Sequence, residues 1–105
     1  MAWIFLLIAG VLEVAWAAGL KKMGVAPTWT TGVVTVVALV ASMLALLVAM
    51  SRLPLGIAYP IWTGIGSVGT VLVSVFIFNQ TLSASGMIGV VLLIVGIFLL
   101  GSDAH

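Results

Sequence analysis

Four long apolar runs, separated by short polar segments, organise the chain of 105 residues. Each run is almost free of charge and approaches the roughly 20 apolar residues that a helix needs to cross a bilayer. Because polar and apolar residues do not alternate along the runs, the pattern predicts helices rather than strands. The predicted spans cover residues 3–20, 29–50, 55–78 and 86–100.

The connections between these spans are short, so neighbouring helices are expected to form antiparallel hairpins. Lys21 and Lys22 follow the first span, and Arg52 lies in the second connection, on the opposite side of the membrane. This difference is a weak positive-inside bias. The pattern therefore favours a chain that inserts in both orientations, and a fixed topology set by one lysine is the alternative.

The predicted architecture is incomplete with one chain, so we expect a second copy. Transporters commonly pair two inversely oriented repeats around a site at mid-membrane. This chain shows no internal repeat, and four helices form a bundle too thin to enclose a solute path. The expected fold class is therefore an all-α integral membrane protein, with a single domain of four transmembrane helices over residues 1–105 and a dual-topology, antiparallel homodimer.

Composition excludes several other classes of protein. Hydrophobic residues make up 65% of the chain and charged residues 5%, with a mean hydropathy of +1.51, whereas soluble domains carry roughly 25% charged residues. A net charge of +1 is too small to suggest nucleic-acid binding. Without cysteine, metal-ligand clusters or a nucleophile–base pair, we expect no metal, no cofactor and no enzyme activity.

The sequence also leads to an expectation for each end of the chain. The apolar N-terminal run has no basic region before it and no convincing cleavage site, so it is expected to be retained as the first span. Asp103 and His105 lie at the C-terminus and are expected to fray.

Glu13 is the only ionisable residue that the pattern places inside a span. A carboxylate near the bilayer centre costs at least about 2.5–3.5 kcal/mol, so we interpret Glu13 as a site for a proton or a cation. The alternative is a structural glutamate that hydrogen-bonds a neighbouring helix. Gly10, Trp16 and Ala17 share its helical face. The small residues leave room for a ligand or for a close helix contact, and Trp16 adds an indole N–H.

Further candidates lie on the other three spans. Tyr59 and Trp62 are spaced i, i+3, and their polar tips suit a wet cavity, with core packing as the alternative. Ser42 lies at a depth where it could meet these tips, or it could bond its own preceding turn. Gly89 and Gly96 are heptad-spaced and predict a flat surface for association with another helix.

Three glycines follow the aromatic pair in the third span, namely Gly64, Gly66 and Gly69, together with Ser67. They weaken the helix at this point. This suits either a close crossing with another helix or a bend during conformational exchange, and the sequence leaves both open.

Two stretches resemble the small multidrug resistance family. Residues 9–21, AGVLEVAWAAGLK, resemble the first helix of that family, and residues 53–66, LPLGIAYPIWTGIG, its most recognisable segment. The resemblance covers essentially the whole chain, including the pair Gly89 and Gly96. It implies a proton-coupled cation exporter of the bacterial inner membrane that works in lipid as an antiparallel homodimer, with one Glu13 from each chain in a shared site.

Within this family, the combination of Gly10, Glu13 and Trp16 resembles the guanidinium-exporter branch. The polyaromatic-cation multidrug branch typically has a smaller residue at the Trp16 position. A small planar cation with several N–H donors suits a carboxylate site. The resemblance then implies a hydrogen-bonded set that orients the paired carboxylates, formed by Trp16, Ser42, Tyr59 and Trp62.

The chain departs from the family pattern at Pro60, where alanine is more common. Pro60 removes a backbone donor and is expected to free the carbonyl of Gly56, which could re-aim Tyr59. The fourth helix also ends at Gly101 and Ser102 without the basic residue that is common there. The rival functions are a broader exporter of quaternary ammonium cations, a non-transporting membrane subunit, and a chain that needs a non-identical partner.

Overall fold

Four helices make up the computed structural model of the chain, which describes residues 2–103 and leaves His105 outside the described part. All four are long and apolar enough to cross a membrane, which confirms the prediction of an all-helical chain with four such segments. Their bounds are Ala2–Val25 for α1, Trp29–Met50 for α2, Leu55–Phe76 for α3 and Ala84–Ser102 for α4.

The first two helices are separated by a proline turn. α1 continues past Lys22, where the apolar run stops, and ends at Val25, two residues before Pro27. The residue before a proline disfavours helical backbone angles, so the proline rather than the charge ends the helix. α2 has the bounds of the second predicted span, and the Oγ1 of Thr28 caps it by accepting from the backbone N–H of Thr31 at 3.1 Å.

The connection from α3 to α4 is a turn closed by backbone hydrogen bonds. Asn79 adopts a φ of 58°, a left-handed conformation that asparagine tolerates better than most residues. The backbone N–H of Gln80 then donates to the carbonyl of Ser74 at 2.9 Å. α4 starts with a second cap, in which the Oγ of Ser83 accepts from the N–H of Gly86 at 3.3 Å.

Pro60 lies inside α3 and does not interrupt it. Its missing N–H leaves the carbonyl of Gly56 without the usual helical donor, at an exposed position in the first turn. The Oγ1 of Thr63 donates to the carbonyls of Tyr59 and Pro60, each at 3.1 Å. These bonds occupy two carbonyls next to the proline while the helix stays continuous.

α1 is the central helix of a flat molecule. It contacts α2 and α3, and α4 packs against α3. The Cα trace measures 44 × 35 × 16 Å, so the helices form a layer rather than a closed bundle. α4 buries none of its described residues. The core lies where α1, α2 and α3 meet, and its buried members are Leu6, Ala9, Ala45, Leu46, Ala49, Ile57, Ala58, Ile61 and Trp62.

Basic residues lie at opposite ends of this layer. Trp3, near the start of α1, lies beside Gly101, near the end of α4, as alternating helix directions require. Lys21 and Lys22 are therefore at one end, with the α1–α2 connection. Arg52 is at the other, in the connection between α2 and α3.

Candidate functional site

The backbone carbonyl of Ala9 joins three helices. The hydroxyl of Ser42 in α2 donates to this oxygen at 2.7 Å, and the indole Nε1–H of Trp62 in α3 donates to it at 3.2 Å. In an α-helix the same oxygen also accepts the backbone N–H four residues later, which belongs to Glu13. The helical turn that carries Glu13 is therefore held from both neighbouring helices.

Ser42 and Trp62 are also bonded to each other. The indole Nε1 lies 3.3 Å from the Ser42 Oγ, and both side chains are buried, with 0% and 4% of their surface exposed. The alternative in which Ser42 bonds its own preceding turn does not occur. In the single chain both donors serve the Ala9 carbonyl and not the carboxylate of Glu13. The set around paired carboxylates that the resemblance implies stays a prediction.

Tyr59 and Trp62 form an aromatic pair, as their i, i+3 spacing suggests. Their ring centroids are 5.3 Å apart and the ring planes are tilted by 58°, an arrangement that aromatic rings favour. Tyr59 is 48% exposed although Trp62 is buried. The pair therefore extends from the core to the surface of the layer, and the Tyr59 ring keeps its contact with Trp62 despite Pro60.

The carboxyl group of Glu13 lies against the backbone of α3 at Gly66. A Cβ atom added at Gly66 would overlap the Oε1 of Glu13 and would lie 2.9 Å from its Cγ. Real Cβ atoms do not approach other atoms so closely. The absence of a side chain at Gly66 thus creates the space that the carboxyl group occupies.

Two further glycines keep α1 and α3 close together around this point. A Cβ atom at Gly10 would lie 2.9 Å from the Cβ of Ile65, and one at Gly69 would overlap the Cγ2 of Val14. Small residues at a helix interface let backbones approach in this way. Of the two alternatives for these glycines, the structure shows the close crossing, and Gly10 makes a helix contact rather than lining an open space.

Two buried polar atoms at this site have no hydrogen-bond partner among residues 2–103, the part of the chain that the structure describes. They are the Oε1 of Glu13 and the Nε1 of Trp16, which lies one turn later on α1. The first is an acceptor and the second is a donor. Buried polar groups are normally paired, since each unpaired group costs about 1–3 kcal/mol. Pairing either atom would therefore lower the free energy of the chain.

Gly64 of α3 and the two heptad-spaced glycines of α4 differ in what surrounds them. Gly64 of α3 packs closely against α4, because a Cβ atom there would lie 2.8 Å from the Cγ1 of Ile97. A Cβ atom at Gly89 or at Gly96 would meet nothing within 4 Å. The heptad-spaced pair therefore takes no part in packing within the described chain and lies on an open face of α4.

Sequence reasoning did not identify Gly66 or the Ala9 carbonyl as parts of this site. Gly66 carries no chemistry, and its only signal is its place in the glycine-rich stretch after Trp62. The Ala9 oxygen carries no signal at all, because every residue has a carbonyl. Both become visible only when the rotation of α1 against α3 is known.

The comparisons with known proteins agree with one another. The sequence model of the family described as Small Multidrug Resistance protein matches residues 1–93. A guanidinium exporter of Salmonella typhimurium is 43% identical over 105 residues, which is 100% of both chains. The guanidinium exporter of Escherichia coli K12 is 40% identical over the same full length. A guanidinium exporter of Yersinia pseudotuberculosis is 43% identical over 97 residues, covering 92% of this chain and 93% of the relative.

The contact between Gly66 and Glu13 predicts a local effect of a single methyl group. Gly66→Ala is expected to push the Glu13 carboxyl away from α3 and to raise its rate of modification by a hydrophobic carbodiimide severalfold. The matched control is Gly56→Ala in the same helix, where an added Cβ meets nothing within 4 Å. Helicity measured by circular dichroism should stay unchanged in both variants. An unaltered modification rate in a folded Gly66→Ala protein would contradict the assigned contact.

Proposed function

This chain belongs to the small multidrug resistance family, and on that basis we propose that it exports guanidinium or small guanidinyl cations in exchange for protons. The relatives at 40–43% identity over the full length are named guanidinium exporters. They are transporters, so no enzymatic activity is indicated. The family and the four apolar helices indicate a multi-pass membrane protein, and the bacterial relatives support the inner membrane as its location.

The unpaired Oε1 of Glu13 is the observation that carries this proposal. Among the residues that the structure describes, it is a buried acceptor without a donor, in a span where a lone carboxylate is costly. Guanidinium presents several planar N–H groups and can offer two of them in parallel to one carboxylate. A quaternary ammonium ion has no N–H and would leave this oxygen unpaired. The site therefore favours guanidinium over the rival substrate class.

The unpaired indole of Trp16 supports a second copy of the chain in the site. Its Nε1–H is a donor and needs an acceptor. Guanidinium has no acceptor to offer, so the substrate cannot satisfy it. A carboxylate from a second Glu13 can, provided that the indole turns so that its Nε1 is no longer covered by its own chain. We therefore propose that two chains share one site, with Trp16 of one chain bonded to Glu13 of the other.

The shape of the molecule agrees with an antiparallel homodimer. The layer is only 16 Å thick, and α4 presents Gly89 and Gly96 on an open face, where a helix of a second copy could approach closely. Two basic residues at one end against one at the other give little preference for either orientation. On this proposal the single four-helix domain supplies half of the transport pathway.

The proposed mechanism is alternating access governed by competition at the Glu13 pair. A carboxylate inside the membrane binds either a proton or a cation, because the free charge is unfavourable there. An inward proton gradient would then displace the substrate on the far side. Ser42 and Trp62 contribute by holding the turn of α1 that carries Glu13.

Substrate choice is the first test of this function. In proteoliposomes with an inward proton gradient, guanidinium should be transported and should outcompete tetraethylammonium by at least about tenfold, since only guanidinium can donate to Glu13. Glu13→Gln should abolish the exchange, whereas Asp103→Asn, at the only other acidic residue, should leave it intact. Faster transport of tetraethylammonium would favour the broader multidrug function. No proton-coupled flux of either cation would favour a non-transporting subunit.

The pH dependence of binding tests the competition between proton and substrate. Lowering the pH protonates Glu13 and should weaken guanidinium binding, by up to about tenfold for each pH unit at the acidic limit. Equilibrium binding in detergent between about pH 5 and 9 measures this directly. Affinity that does not change over this range would contradict a shared carboxylate.

Mixing active and inactive chains tests the shared site. When wild-type and Glu13→Gln chains are co-expressed in equal amounts, exchange should fall to about a quarter of the wild-type rate if each site needs two Glu13 residues. Chains that act alone would retain about a half. A co-expressed Asp103→Asn chain is the control and should cause no loss.

A further inference from the structure

Every hydroxyl side chain of α3 lies on one line along the helix. At about 100° per residue these side chains fall within an arc of about 80°. They extend along the helix for about 22 Å, against roughly 30 Å for the hydrocarbon core of a bilayer. The members of this hydroxyl stripe are Tyr59, Thr63, Ser67, Thr70 and Ser74.

The hydroxyl stripe is not covered by another helix of the chain. Tyr59 and Ser67 are exposed, and the other three members are half-buried. α3 packs against α1 at Gly66 and Gly69 and against α4 at Gly64, and all three glycines lie outside the arc. The stripe is therefore an open polar face, whereas the exposed positions in the middle of α2 and α4 are apolar.

The stripe passes beside the carboxyl group of Glu13. That carboxyl lies against Gly66, which is about 20° outside the arc and shares a helical face with Thr63 and Thr70 at spacings of three and four residues. Thr63 lies on the side of Arg52, and Thr70 lies on the side of the α1–α2 connection. The stripe thus extends from the carboxyl toward both ends of the molecule.

The hydroxyl protons in the middle of the stripe are used within α3. Thr63 donates to the carbonyls of Tyr59 and Pro60. Ser67 donates to the carbonyl of Thr63 at 2.6 Å, and Thr70 donates to that of Ser67 at 3.0 Å. Because a hydroxyl has one proton and two acceptor lone pairs, these three oxygens can still accept hydrogen bonds but have no proton left to donate.

The carbonyl of Gly56 adds an acceptor at the start of the stripe. Pro60 has no N–H to donate to it, and Gly56 falls within the same arc. A Cβ atom at Gly56 would meet nothing within 4 Å, so this part of the face is open as well. The stripe is therefore a row of acceptors from the first turn of α3 past Glu13.

Building on the proposed function, we propose that the hydroxyl stripe is one wall of a hydrated path along which guanidinium moves between Glu13 and the membrane surfaces. Guanidinium carries N–H donors and no acceptor, so it matches a row of acceptors. A lone membrane serine that bonds its own helix needs no further role. Five hydroxyl residues on one open arc, beside a carboxylate, form a polar face that lipid cannot hydrogen-bond. Ser67 and Thr70 thereby serve substrate movement rather than binding at Glu13.

Single cysteines test whether the stripe is hydrated, because the chain has no cysteine of its own. In liposomes, Ser67→Cys should react with a charged, water-soluble methanethiosulfonate at least about tenfold faster than Leu72→Cys, since a thiol in lipid stays protonated and unreactive. Leu72 is the matched control because it is 50% exposed, at a similar depth, on the opposite face of α3. Saturating guanidinium should slow the reaction of Ser67→Cys severalfold.

Removing the acceptors tests their role in movement. Ser67→Ala with Thr70→Val should lower the rate of guanidinium exchange about tenfold and leave its equilibrium affinity within about twofold, because the carboxylate of Glu13 is unchanged. The matched control is Thr35→Val, which should keep the wild-type rate. Thr35 also donates to the carbonyl four residues earlier, but it is buried against Gly19 between α1 and α2.

The failures of the two proposals are distinguishable. Equally slow modification of Ser67→Cys and Leu72→Cys overturns the hydrated path and indicates that lipid or a second copy covers the stripe. Fast modification that guanidinium does not slow, or an unchanged exchange rate in the double variant, also overturns it. If the wild type still exports guanidinium in these cases, only the stripe loses its role. A wild type that exports no guanidinium overturns the exporter and the path together.

Discussion

A single backbone oxygen, the carbonyl of Ala9, holds together the part of the molecule that contains Glu13. Ser42 and Trp62 reach it from two different helices, and the turn that it closes contains Glu13. In lipid, helices gain little from burying apolar surface against one another, and packing and interhelical hydrogen bonds determine how they associate. The rotation of α1 against α2 and α3, and with it the direction of the Glu13 side chain, therefore depends on this junction.

Close packing of α1 against α3 adds to the effect of the hydrogen bonds at the Ala9 carbonyl. Gly66 and Gly69 allow the backbone of α3 to approach Glu13 and Val14, and Gly10 does the same from the side of α1. The approach removes water from one carboxylate oxygen without supplying a donor. A tightly packed interface thus produces an unsatisfied acceptor, which is the property on which the proposed cation specificity rests. The close helix packing and the unpaired oxygen therefore depend on the same few small residues.

α4 stands apart from this arrangement. It contacts α3 through Gly64 and Ile97 and leaves Gly89 and Gly96 on an open face, while the site itself is built by the first three helices. Such a separation would allow α4 to serve association without disturbing the site.

The sequence by itself determined the number of helices, their approximate ends and the one acidic residue within them, because a bilayer imposes a fixed length and a high cost for charge on any segment that crosses it. It also indicated the contact of Tyr59 with Trp62, since i, i+3 spacing is a local property of one helix. The tertiary structure alone decided that Ser42 and Trp62 meet at Ala9, across 33 and 53 residues of chain, and that Gly66 lies under Glu13. Those contacts depend on the rotation and depth of one helix relative to another, which hydropathy does not encode because every lipid-facing position is equally apolar.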